Sequence, residues 1–365
     1  MRSSHNSIAL ISAAGSGKTT HIVDQALSYT GGRILITTYT NPNLEQVRGL
    51  LIDRAGYVPE KITVQTWFTF LLRHGVRPYQ NQMGDWPRAR SIYYGKKSAK
   101  FHKKNNYFTG MNDIYDFKVA EFVDECNKKS DGLIGKRLEK IYSKIFVDEL
   151  QDLAGYDLSV LEMLFRSTIS VEVLGDPRQA TYSTNNAMKN KQWRGSRIYG
   201  WLKEQRRLGL VSIDEHCNSH RCNQELCDFA DRLFPELPKT TSSNAVRTGH
   251  DGVFSVNRVD IAEYMRAYRP SLLQYNKTAV TSGFPAINIG LTKGKTYDRV
   301  LIFPTKSMLG YLASGDPEEK VDKPALYVAI TRAKYSAAFV VDDASISSSI
   351  PHWNSEGDSK AAQDL

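Results

Sequence analysis

Short apolar runs alternate with amphipathic stretches along this chain, the pattern of a parallel α/β architecture. Ile8–Ser12 reads as a buried strand, and Lys18–Tyr29 as the helix behind it. Ile34–Thr38 is a second strand, followed by a helix with Asn41 as N-cap and Pro42 in its first turn. Ile62–Gln65 is a third strand and enters a helix over Trp67–His74. Ile145–Asp148 and Val171–Leu174 are further strands, separated by a helix over about Asp157–Phe165.

Between His74 and about Lys140 that rhythm is interrupted, and a second α/β set begins after about residue 205. Its expected elements are a helix over Asn223–Phe234, strands at Thr278–Thr281, Ile287–Gly290 and Val300–Phe303, a helix over Ala325–Thr331 and a strand at Ala337–Val341. The expected organisation is a first domain over residues 1–204, with an insertion at about 75–140, a second over 205–345, and a polar tail over 346–365.

Composition narrows the class. With 365 residues the chain is long for a single core, and 41% hydrophobic residues with 13 prolines describe a globular protein. A formal charge of +9 favours an acidic partner, nucleic acid ahead of an anionic membrane surface. No apolar run reaches the length of a membrane span, and Ile8–Ile11 is too short for a signal peptide. Four cysteines make no disulfide framework, so reduced thiols in a cytoplasm are expected. Cys217, Cys222 and Cys227 lie near His216 and His220 but lack Cys-x-x-Cys spacing, and Cys222 and Cys227 read better as helix residues than as zinc ligands.

The chemistry begins at Ser12-Ala13-Ala14-Gly15-Ser16-Gly17-Lys18-Thr19-Thr20, which leaves a strand and opens a helix. Glycines let the backbone wrap closely, so that amide groups from Ala14 to Thr20 face the phosphates of ATP. Lys18 would reach the β- and γ-phosphates and the Thr19 hydroxyl would ligate Mg²⁺; Ser12 stands where the pattern has a first glycine. Ile145-Phe146-Val147-Asp148-Glu149 is an apolar strand ending in two carboxylates, which alternation points in different directions. That suits Asp148 to Mg²⁺ and Glu149 to the general-base role on the attacking water.

Asp148-Glu149-Leu150-Gln151-Asp152 resembles the Asp-Glu-x-Gln-Asp signature of UvrD/Rep-type superfamily 1 helicases. Further blocks follow that family's order: Thr38-Tyr39-Thr40-Asn41, Val64-Gln65-Thr66-Trp67, Gly175-Asp176-Pro177-Arg178-Gln179, Ser219-His220-Arg221, Lys293-Gly294-Lys295-Thr296-Tyr297-Asp298 and Tyr327-Val328-Ala329-Ile330-Thr331-Arg332-Ala333. The resemblance runs from about residue 8 to 341. It implies two RecA-like parallel-sheet domains of the P-loop NTPase type, with ATP in the cleft between them and a basic insertion in the first. It implies that Gln179 senses the γ-phosphate, that Arg221 and Arg332 reach it from the second domain, and that His220 takes the place of the tyrosine that stacks on adenine. Thr296 replaces a glutamate, and Thr184 stands where a tryptophan often stacks on a base.

Tyr39 and Tyr182 match the family's base-stacking positions, Thr66 and Trp67 lie in the adjoining block, and Phe68 is next to them; core packing is the other reading for Trp67 and Phe68. Trp86–Asn112 contains no acidic residue and interleaves Arg88, Arg90, Lys96, Lys97, Lys100, Lys103 and Lys104 with Tyr93, Tyr94, Phe101 and Tyr107. That composition suits a single-stranded path, with a solvated basic loop as the alternative. The expected activity is an ATP-dependent helicase or translocase moving along single-stranded DNA, on simple or forked substrates, with 3′-to-5′ polarity implied by the resemblance. RNA stays open as the track. A motor subunit serving a partner nuclease or a replication, repair or defence protein is one alternative, and a nucleic-acid binder with a degenerate ATPase fold is another.

Overall fold

The computed structural model describes residues 7–85, 88–95, 106–185, 187–276, 279, 281, 283–316, 320–342 and 350–354. Lys96, Lys97, Lys100, Phe101, Lys103, Lys104 and Thr278 lie outside them. The chain forms two compact units, Met1–Ile11 with Lys18–Glu215, and Ser12–Gly17 with His216–Leu365. The division thus falls about ten residues beyond the expected 204/205 boundary.

The first unit runs β1 (Ile8–Ser12), α1 (Lys18–Ser28), β2 (Ile34–Thr38), α2 (Asn41–Ala55), β3 (Ile62–Thr66), α3 (Trp67–Phe70) and α4 (Arg77–Tyr79). The insertion then adds β4 (Ile92–Tyr93), β5 (Ile114–Tyr115), α5 (Val119–Lys129) and α6 (Leu133–Glu139). The remainder is β6 (Lys144–Val147), α7 (Asp157–Phe165), β7 (Ser170–Gly175), α8 (Ile198–Arg207) and β8 (Ser212–His216). The main sheet has the order β3-β2-β6-β7-β1-β8, with β1, β2, β3, β6 and β7 paired in parallel.

Both faces of this sheet are covered, which is why its strands carry nearly unbroken apolar runs. Leu10, Ile34, Ile36 and Phe146 pack on α1 and α2, whereas Ala9, Ile11, Leu35, Ile145 and Val147 face the core built with Trp67, Phe122 and Leu161. α2 is capped by Thr40, whose side chain accepts from Asn43 N, with Pro42 in the first turn. The cap is therefore one residue earlier than Asn41. The helix after β3 does not end at His74: it passes from α3 through a π-helical segment, Leu71–Val76, into α4 and a 3₁₀ turn, Gln80–Met83.

The second unit contains β9 (Asn218–Ser219), α9 (Gln224–Asp231), β10 (Thr241–Ser242), β11 (Gly252–Asn257), α10 (Ile261–Tyr268) and β12 (Ser271–Gln274). It continues through β13 (Ile287–Asn288), β14 (Tyr297–Phe303), α11 (Lys306–Ser314), α12 (Lys323–Ile330) and β15 (Ala333–Val341). Its five-stranded parallel sheet has the order β11-β15-β14-β12-β13. The strand expected at Thr278–Thr281 falls partly outside the described residues, and the strand found before it is β12, several residues earlier. The tail is not polar throughout: Ser255 on the edge strand β11 donates through N to Pro351 O (2.9 Å) and accepts through O from Trp353 N (2.9 Å). Trp353 is 3% exposed and belongs to the core around Val256, Tyr264 and Leu301. No helix among the described residues is long and apolar enough to cross a membrane.

Candidate nucleotide and nucleic-acid site

Parallel pairing brings the carboxyl ends of β2, β3, β6 and β7 to one edge of the first sheet, where ligands of open α/β folds bind. Asp148 continues β6 by one hydrogen bond, donating through N to Thr37 O at 2.9 Å. Its carboxyl is buried, and burial together with the neighbouring Glu149 charge pushes its pKa well above the usual carboxylate range, while Lys18 pulls it down. Glu149 then turns into the left-handed region, at φ 57° and ψ 42°. For a residue with a Cβ this conformation costs about 1–3 kcal/mol and marks functional sites. Since β6 ends at Val147, strand alternation does not govern Glu149, which leaves the strand by this turn.

Glu149 is held on both oxygens. Asn43 Nδ2 donates to Oε1 at 3.3 Å and Gln151 Nε2 donates to Oε2 at 2.5 Å. The other end of Gln151, Oε1, accepts from Asp176 N at 3.1 Å. Asp176, fully buried, accepts on Oδ2 from Gln179 Nε2 (2.9 Å) and on Oδ1 from Arg178 N (3.1 Å) and Arg178 Nη1 (3.2 Å). An unbroken relay thus runs Glu149–Gln151–Asp176–Gln179, across the ends of two adjacent strands. Gly175 lets the relay form, because a Cβ there would lie 2.6 Å from Gln151 Oε1. Gln151, Asp176 and Arg178 were legible as motif letters, but their positioning roles were not, and Asn43 carried no signal at all.

Lys18, Thr19 and Thr20 open α1 half-buried. In the second unit the loop residues Gly15 and Gly17 sit at φ 77° and 80°, a conformation that suits glycine. Gly17 has open space around a built Cβ, so there the dihedral alone asks for glycine. At Gly15 a Cβ would also lie 2.6 Å from Arg221 Cβ. Ser219 Oγ donates to Ala14 O (2.7 Å), His220 N donates to Gly15 O (3.0 Å), and Ala14 N donates to the Tyr327 hydroxyl (3.3 Å). The exposed His220 ring shares a hydrogen bond between Nδ1 and Ser243 Oγ at 2.6 Å. Arg221 Nη1 donates to Thr331 O at 3.1 Å, and burial lowers its pKa. Arg332 is buried and donates to Val328 O (3.2 Å) and Thr292 O (3.4 Å).

The residues chosen for nucleic acid separate into two groups. Tyr182 is 45% exposed, and Tyr39 is half-buried with its ring 6.1 Å from Phe68. Burial, helped by Asp152 and Asp157, pushes the Tyr39 hydroxyl up to about 12. Trp67, by contrast, is 1% exposed and its Nε1 donates to Asp157 Oδ1 at 2.7 Å, so it is a core residue and no stacking platform. Thr66 caps α3, accepting from Thr69 N at 3.2 Å. Thr184, in place of a stacking tryptophan, is buried and donates to Asp157 Oδ2 at 2.5 Å. Within the insertion Arg90 is bound by both oxygens of Asp113 (3.2 and 3.1 Å), just beyond the acid-free stretch.

Residues 80–194 match the family described as the UvrD/REP helicase N-terminal domain. Among solved structures, the arterivirus nonstructural protein 10 helicase is similar at 15% identity over 93% of this chain and 61% of its own, with TM-score 0.48. The same helicase in complex with DNA is similar at 15% over 93% and 62%, TM-score 0.47. The PRRSV helicase is similar at 16% over 93% and 53%, TM-score 0.45. The chain therefore spans less than two thirds of the length of these helicases. No curated protein matches the chain.

Proposed function

We propose that this chain, whose residues 80–194 match the UvrD/REP helicase N-terminal domain, is a UvrD/Rep-like superfamily 1 member and an ATP-dependent motor that moves along single-stranded nucleic acid, DNA by preference. The observation that carries the reading is the relay Glu149–Gln151–Asp176–Gln179. It ties the candidate general base to the candidate γ-phosphate sensor through three hydrogen bonds, one of them from the Asp176 backbone amide, so a change at either end is felt at the other. A degenerate binding module would have no need of a strained, doubly held carboxylate.

The donor set fits a triphosphate with a divalent cation. The loop amides and Lys18 would bind phosphate, and Thr19 with Asp148 would hold Mg²⁺, for which a buried carboxylate lacking full countercharge is suited. Bound Mg²⁺ would neutralise charge on the phosphates. Glu149, fixed by Asn43 and Gln151, orients the attacking water and accepts its proton. Gln179 reports the γ-phosphate, and Arg221 and Arg332 are the proposed guanidinium donors to the transferred phosphoryl. Adenine contact by His220 and 3′-to-5′ movement are carried over from the resemblance. A cytoplasmic setting is proposed from the low cysteine content, four in 365 residues.

The test compares ATP hydrolysis by the chain alone with single-stranded DNA, duplex DNA and RNA. The reading expects the largest stimulation from single-stranded DNA. Stimulation by RNA alone would move the substrate class, and no stimulation by any nucleic acid would end the motor reading.

A further inference from the structure

The ribbon of β4 and β5 carries two neighbouring tyrosines to different surroundings. Tyr93 packs edge-on against Tyr115, with centroids 5.8 Å apart at 85°. Tyr94 packs edge-on against Phe68, at 6.0 Å and 87°, and Phe68 in turn meets Tyr39. Three rings therefore step outward from the carboxyl ends of β2 and β3, and the outermost, Tyr94, is 67% exposed. A ring anchored by its edge contact keeps a face for a further partner and has little rotamer freedom left to lose.

Gly95, the next residue, lines a cavity of about 860 Å³, within the range of small-ligand pockets. Its lining also includes Ser183, next to the half-exposed Tyr182. Lys118 and Lys189 bring positive charge to the lining, Asp116 and Glu121 bring two carboxylates, and Tyr156 lies beside them. Lys118 is tied to Glu121 at 2.5 Å. Lys189 stands 3.6 Å from Asp124, whose same oxygen is already taken by Lys128 at 2.7 Å, and its ammonium lies 5.2 Å from the Tyr156 ring centroid. Lys189 is thus the cation most readily given to a phosphate.

We propose that one unpaired nucleotide of the bound strand sits at the Gly95 side of this cavity, its base stacked on the exposed Tyr94 that precedes Gly95 and its phosphate in the cavity against Lys189. The inference rests on the single-strand reading above and gives that strand an aromatic contact outside the motif residues.

The experiment measures binding of oligothymidylate, and of an abasic oligomer of equal length, by fluorescence anisotropy over a salt series. Tyr94→Ala is expected to weaken oligothymidylate binding about 5- to 150-fold, leave the abasic oligomer unaffected and keep the salt slope. Lys189→Ala is expected to flatten the slope by about 0.7 log–log unit for both oligomers. Tyr57→Ala serves as control, since that tyrosine is 64% exposed but follows α2 at the opposite edge of the sheet. Wild-type affinity in Tyr94→Ala, or an equal loss on the abasic oligomer, would overturn the inference while the motor reading stands. A wild-type chain that binds neither oligomer would overturn both.

Discussion

A methyl group added to Gly175 would lie 2.6 Å from Gln151 Oε1 and 3.0 Å from Leu150 Cβ. Gln151 is 1% exposed and has no route into water, so its amide must leave its place. It then gives up the bond from Asp176 N and loosens its bond to the Glu149 carboxylate. A neutral hydrogen bond contributes about 0.5–1.5 kcal/mol and one to a charged group about 1.5–3 kcal/mol, so Gly175→Ala should destabilise the chain by about 2–4 kcal/mol. Misplacing the base by about 1 Å should also lower turnover about 10²-fold. Gln151→Ala loses the same bonds without a clash, and adding Gly175→Ala to it should cost little further beyond the Leu150 contact. Urea denaturation and single-strand-stimulated ATP hydrolysis of the two single variants and the double should therefore show coupling of about 1–3 kcal/mol. Losses that simply add would refute the relay.

Burial holds the Asp157 carboxyl at about 6, above its ordinary 3.8, despite hydrogen bonds that pull it down. The native chain thus binds this proton more tightly than the unfolded chain. The corresponding stability, up to about 3 kcal/mol, is present below about pH 4 and lost as pH rises through about 6. Denaturation profiles of wild type and Asp157→Asn should diverge across that window, and parallel profiles would contradict the assignment. Trp353→Ala should cost about 3–5 kcal/mol in thermal or urea unfolding, because the side chain is buried in the second unit's core; wild-type stability would show that the segment does not dock. Between Arg221 and Lys293 the described residues are taken up by α9, β10, β11, α10, β12 and β13, with no stretch of domain size. The chain alone should therefore displace streptavidin from single-stranded DNA better than it unwinds long duplexes, and efficient unaided unwinding of long duplexes would refute this.

What could be read in advance was what local chemistry dictates. The phosphate loop is legible because positive φ asks for glycine at Gly15 and Gly17, and β2 because a strand covered on both faces opens on an unbroken apolar run, Ile34-Leu35-Ile36. Helix α7 was placed residue for residue, as its apolar spacing lies between clear breaks. The misplaced strand β12 has only Leu272 and Leu273 fully buried, between a serine and a glutamine, so its signal is short. Trp67 looked like a nucleic-acid contact because a strand end is a plausible stacking position. Its burial depends on Asp157, ninety residues away in the chain. Arg90 looked available because its partner Asp113 stands just past the acid-free stretch. Asn43, the Gln151–Asp176 bond and the docking of Trp353 are long-range pairings, and such pairings leave no mark on local pattern.

The central claim is that Glu149, held by Asn43 and Gln151, is the base of an ATP-driven motor. The measurement that tests it most directly is paired ATP binding and single-strand-stimulated hydrolysis by Glu149→Gln. The amide keeps the shape of the site but cannot take a proton, so ATP affinity should stay near that of the wild type while turnover falls about 10²–10⁴-fold. Turnover close to wild type, with ATP bound normally, would contradict the account.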